Sequence, residues 1–186
     1  MNQRAFTLLE FLVIFGILLF VGSIIYVINP RELLAEWRDS NRMADLNKIE
    51  SALSDYLATA SGQRFDFDCS NKCYASFNGI GESCDSRYVR KTVSEQAGRG
   101  IDGSGWLPAD FTGDEELRFA LLPVDPINDG DHFYSFACDN VTRTFELNAK
   151  MESSRYSQGG KDDVESADGG DNPGLYEVGT KPGLGL

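Results

Sequence analysis

The chain has 186 residues, with 17 Lys and Arg against 29 Asp and Glu for a formal charge of −12, a single His and four Cys. So acidic a protein does not favour nucleic acid, and the acidity lies late: positions 61–186 hold 12 basic and 22 acidic side chains, a solvated, self-repelling surface suited to cations. The roughly 125 residues that follow Ser61 are enough for one small domain with its own core, which excludes a second.

The first element is the run 6–28, FTLLEFLVIFGILLFVGSIIYVI, 23 residues whose only charge is Glu10. At about 1.5 Å per residue it is long enough for a hydrocarbon core of about 30 Å, and only a helix satisfies its backbone there. A carboxylate within such a segment is costly, about 2.5 to 3.5 kcal/mol for Asp at the centre and less near the interface. Glu10 therefore either reaches back to the headgroups or has a partner.

The polar leader MNQRA with Arg4, the small Ala5, and FTLLE followed by about twenty apolar residues resemble the class III signal of type IV prepilins and type II secretion pseudopilins. The resemblance implies a leader, 1–5, removed by prepilin peptidase between Ala5 and Phe6 on the cytoplasmic side. Phe6 then becomes the methylated first residue, and Glu10 is the fifth, which the family keeps acidic for filament assembly. Ala5 stands where the family usually has Gly, a departure that bears on the speed of cleavage. An ordinary secretory signal is excluded, because the expected cut precedes the apolar run and leaves it in the mature protein. Loss of Arg4 takes the mature chain to 16 basic and 29 acidic side chains, or −13. Arg4 and the initial amine before the run favour a cytoplasmic N-terminus and an extracytoplasmic remainder.

Asn29-Pro30 should bend or interrupt the helix, since Pro lacks a backbone donor and crowds the preceding turn. Over 29–61 an apolar stripe is expected at Leu34, Trp37, Leu46, Ile49, Leu53, Tyr56 and Leu57, with Arg38, Asp39, Arg42, Asp45 and Lys48 as exposed-face charges. Ser61-Gly62 is the stop. The sequence thus predicts one helix of about 80 Å over 6–61, kinked near Pro30. That spine, and the run RDSNRMADLNKIESALSDYL, are similar to those of pilins.

Between 62 and 114 the glycines favour loops or short strands pinned by cysteines, with 87–95 a short strand or helical turn. The stretch GRGIDGSG, 98–105, is a turn-rich linker and no phosphate loop, having neither a preceding strand nor a following Lys-Ser/Thr. Trp106-Leu107-Pro108 returns the chain to the core. Cys69, Cys73, Cys84 and Cys138 are an even set in a compartment that permits disulfides, so two bridges are expected, with three pairings open. A zinc site is disfavoured by the Cys-x3-Cys spacing followed by single cysteines.

In LRFALLPVDPINDGDHFYSFACDNVTRTFELNAKMES, 117–153, the aromatic and apolar alternations of 132–138 and 143–151 flank Asp139-Asn140-Val141-Thr142 and predict an antiparallel hairpin. Pro123 to Pro126 form a rigid lead-in. The Leu-Pro-x-Asp-Pro turn, the aromatic strand and the Phe-x-Leu-x-Ala strand extend the resemblance to pseudopilins. Asn140-Val141-Thr142 is also a glycosylation sequon, a weak signal behind a bacterial type of anchor. His132 falls in a predicted strand without a nucleophile motif, so no enzyme is expected.

The tail supplies Asp162, Asp163, Glu165, Asp168 and Asp171 among glycines, hard oxygen ligands of the kind calcium takes. Some pseudopilins carry calcium in this loop, so the resemblance points to Ca2+ there; the alternative is a flexible acidic tail. The expectation is an α+β, pilin-like fold: a long transmembrane-plus-amphipathic helix, 6–28 and 29–61, packed on a small antiparallel β-domain, 62–186. The expected function is that of a structural subunit of a type IV pilus-like filament, pilin or pseudopilin. Its partners would be its own copies, the peptidase, the assembly machinery and the inner membrane. The competing readings are a singly anchored binding module and an anchored enzyme.

Overall fold

The computed structural model describes residues 7–59, 65–88, 91–94, 98–113 and 119–183. Two helices lead, α1 (Leu8–Ile28) and α2 (Pro30–Thr59). They are followed by strands β1 (Lys72–Ala75), β2 (Thr92–Val93), β3 (Ser135–Asp139), β4 (Thr144–Ala149) and β5 (Tyr176–Gly179). The chain is α+β, with an N-terminal helical region and a five-stranded sheet in the order β2-β1-β3-β4-β5.

Of the bend or interruption expected at Asn29-Pro30, the structure has the interruption, so the single kinked helix expected over 6–61 is two helices. Asn29 adopts φ 45° and ψ 73°, the left-handed region that Asn tolerates better than most residues. Pro30 lacks the N–H that would continue α1, and it serves as the first residue of a new helix, where that donor is unneeded. The Asn29 carbonyl accepts from the backbone of Glu32 and Leu33 at 3.0 and 3.3 Å and so starts α2. The stop expected at Ser61-Gly62 lies outside the described residues.

The hairpin forms as predicted, with β3 and β4 antiparallel in the register Phe136↔Leu147 and Cys138↔Phe145. Its turn is held by Asp139, whose carboxylate accepts from the backbone N–H of Val141 and Thr142. β5 comes from the tail and pairs antiparallel with β4. The sheet is mixed and not wholly antiparallel, because β1 and β2 run parallel. That edge is a bare two-residue pairing, too short to leave an alternating pattern in sequence.

Opposite residues of antiparallel strands share a face. Tyr74, Phe136, Leu147 and Val178 therefore line one side, where Leu46, Ile49 and Leu53 of α2 cover them in the main core. Phe65 is its hub, edge-on to Phe136 at 5.6 Å and stacked on Tyr56 at 5.8 Å. Trp106 and Leu107 are buried there as expected, the indole N–H donating to the Pro123 carbonyl at 2.9 Å.

The reverse face carries Ala75, Ser135, Ala137, Glu146, Asn148 and Glu177, and a smaller cluster of Cys73, Cys84, Tyr88 and Phe133 packs over it. Both expected disulfides are present, joining Cys69 to Cys138 and Cys73 to Cys84. The second clamps the turn Glu82–Ser86, in which Ser83, Cys84, Asp85 and Ser86 all have φ between 51° and 63°. Four successive left-handed residues, none of them Gly, cost about 1–2 kcal/mol each, so this turn exists only because its surroundings enforce it.

Candidate assembly site

At the start of α1, Thr7 and Glu10 form a reciprocal cap. The Glu10 backbone donates to Thr7 Oγ1 at 3.2 Å, while Glu10 Oε2 accepts from the Thr7 backbone N–H at 2.9 Å and from its hydroxyl at 3.0 Å. This capping box satisfies donors that a helix start leaves open, and a sequence signal for it existed in the spacing Thr-x-x-Glu. Ala5 and Phe6, the expected cleavage site, lie outside the described residues.

Beyond the cap, α1 is exposed on every described side: Leu8 is 83% exposed, Phe11 68%, Leu19 60% and Phe20 67%. Among the described residues no helix is long and apolar enough to cross a membrane. The unbroken run of described side chains in α1 is 8–24, 17 residues against the ~20 usual for a span. The apolar surface continues past Pro30 through Leu33, Leu34 and Trp37, all exposed. Leu34 and Trp37 were expected in the stripe packed on the domain. They fall outside it because the sheet meets only the later turns of α2, where Leu46, Ile49 and Leu53 are buried and Tyr56 and Leu57 half-buried.

The earlier turns of α2 are fastened by charge instead. Asp39 and Arg42, read from sequence as exposed, are fully buried. Arg42 donates to both oxygens of Asp125 at 2.7 and 2.9 Å, to Asp39 at 2.7 Å and to Glu152 at 2.7 Å, and Arg38 forks onto Glu152. Burial alone would lower the pKa of Arg42, but the bonds to Asp125, Glu152 and Asp39 outweigh it and hold the guanidinium charged more firmly than usual. Asp39 also accepts from the backbone of Glu152 and Ser153. The signal in sequence was the i,i+3 pair Asp39 and Arg42 together with the acid inside the Pro123–Pro126 turn. The turn supplies Asp125 and holds its carboxylate with the backbone N–H of Ile127. Asp45 and Lys48 pair on the surface as read.

The tail carboxylates do not converge. Asp162 bonds Arg155, Asp163 accepts from the backbone of Gly159 and Ser166, Glu165 from Met151 and Gln158, and Asp168 from Gly170 and Glu177. Among the described residues no cluster of three or more His, Cys, Asp or Glu able to hold a metal occurs. Each of those four carboxylates fastens a turn instead, and the segment contributes β5 to the sheet. Asp171 is exposed. His132 is a turn residue, not a strand residue, its backbone N–H donating to Asp129 at 2.8 Å. The sequon Asn140 exchanges two hydrogen bonds with the Phe65 backbone, which employs its side-chain amide in tertiary structure.

Comparison with family models, curated proteins and solved structures returned no match.

Proposed function

We propose that this chain is a structural, non-enzymatic subunit of a type IV pilus-like filament, a pilin or a secretion pseudopilin. In this reading prepilin peptidase cuts between Ala5 and Phe6, and 6–28 holds the precursor in the inner membrane with the domain outside. Assembly machinery then stacks the helices of many copies. The observation that carries the reading is a helix apolar around its whole circumference, joined to a domain that already has a complete core of its own. Such a helix has no side turned toward its own domain, so its burial must come from lipid or from other copies.

Glu10 sets the register. In a staggered stack the amine of Phe6 on one copy meets Glu10 of the next, which removes two desolvation penalties and fixes axial position. Glu10→Gln separates charge from cap, because Gln also serves at the third position of a capping box. We expect Glu10→Gln and Glu10→Val both to be inserted and cleaved, and both to give few or no filaments by electron microscopy. Normal filaments from Glu10→Gln, or a mature protein that still starts at Met1, would leave a singly anchored binding module as the better reading.

A further inference from the structure

The left-handed turn Glu82–Ser86 forms one wall of a recess of about 180 Å³ on the side of the sheet away from α2. Asp85, Ser86, Asp131, Lys150, Asn172 and Leu175 line it, above Arg87. Arg87 is structural: its guanidinium lies 3.6 Å over the Phe133 ring and donates to the Phe133 carbonyl at 2.9 Å, Asn148 Oδ1 at 3.0 Å and the Asp131 carbonyl at 3.3 Å. By contrast, among the described residues the side chains of Asp85, Ser86, Asp131 and Lys150 make no hydrogen bond or ion pair. Four exposed polar groups thus surround one recess, Asp85 among them near enough to Arg87 to favour its charge, and the wall formed by Asp85 and Ser86 is left-handed backbone next to the Cys73–Cys84 bridge. Strain of this kind is kept where a site must be shaped.

The charges decide the ligand class. An anion would meet Asp85 and Asp131, and a cation would meet Lys150 and Arg87. Among the described residues no group of three or more His, Cys, Asp or Glu converges there to hold a metal ion. A neutral molecule with several hydroxyls satisfies all of them, donating to the two carboxylates and accepting from Lys150 and the Asn172 amide, with the edge of Leu175 as the apolar part of the lining. The volume is below the roughly 300 Å³ at which drug-sized pockets begin and suits one ring. We propose that this recess binds a single neutral hexose unit, as the end of a glycan.

The test uses the full chain as dispersed monomer in amine-oxide micelles, so it does not depend on the filament reading and introduces no sugar detergent. Methyl glycosides of glucose, galactose, mannose and N-acetylglucosamine are titrated by saturation-transfer NMR and calorimetry. At least one should bind with Kd of about 1 mM. Lys150→Ala and Asp131→Asn, both at exposed positions, should each weaken it about tenfold without altering the melting curve, since each removes a charge-assisted hydrogen bond. Lys161→Ala, outside the recess, should not change it. Absence of binding by all four glycosides, binding indifferent to Lys150 and Asp131, or binding of glycine or phosphate in their place would overturn the proposal.

Discussion

Glu177 is a buried carboxyl on the reverse face of the sheet, one strand from Glu146. Burial first, then the neighbouring Glu146 and Asp168, push its pKa up from 4.5 to about 8, against the bond it accepts from the Asn172 backbone. Gly170 makes room for it, since a Cβ there would strike the carboxylate. Between pH 4.5 and 8 the folded state holds a proton on Glu177 that the unfolded chain has released, so this group's contribution to stability falls as pH rises through that window. The melting temperature should decline from pH 5 to pH 8. Glu177→Gln should flatten the decline and melt higher at pH 8, about 2–4 °C for each kcal/mol recovered. A wild-type curve as flat as the variant's would remove the buried proton from the account. At Arg42 the sign is simpler. Asp125→Ala takes two charge-assisted hydrogen bonds from a buried guanidinium that keeps Asp39 and Glu152, and should cost about 1.5–3 kcal/mol in denaturant unfolding, more than removal of a surface pair such as Asp45 and Lys48.

Elements differ in how much of themselves they write into sequence. The β3–β4 hairpin and the middle of α2 were legible because period and turn chemistry agree over many residues. The turn Glu82–Ser86 was not, because nothing in ESCDS asks for four successive left-handed residues, and the partner of its Cys84 could not be read from spacing. Arg42 failed for a related reason: the helical pattern marks it as polar, and only the distant Asp125 and Glu152 make burial affordable. In the same way the pairing of four cysteines is fixed by which loops meet, and three choices stayed open until the sheet order was known. The bridge Cys69–Cys138 spans 69 residues and Cys73–Cys84 spans 11, so loop-closure entropy predicts about 4 kcal/mol for the first and about 3 for the second. Peptide mapping under non-reducing conditions should return these two bridges and no others. Loss of Cys69 by replacement with Ser should lower stability more than loss of Cys84.

Across the whole molecule a charge of −12 sits on a surface that repels itself, with few surface pairs among the described residues to offset it. Screening shortens from about 10 Å at 0.1 M salt to about 3 Å at 1 M, so added sodium chloride relieves the repulsion and weakens pairs that contribute little. The melting temperature should therefore rise between 0.05 and 1 M sodium chloride; a fall would mean that the surface pairs matter more than the net charge. The cluster at Arg42 stands apart from this trade, because ions do not reach a guanidinium with no exposed surface. Concentrated salt that loosens the surface pairs would therefore leave the early turns of α2 bolted to the sheet domain through Arg42.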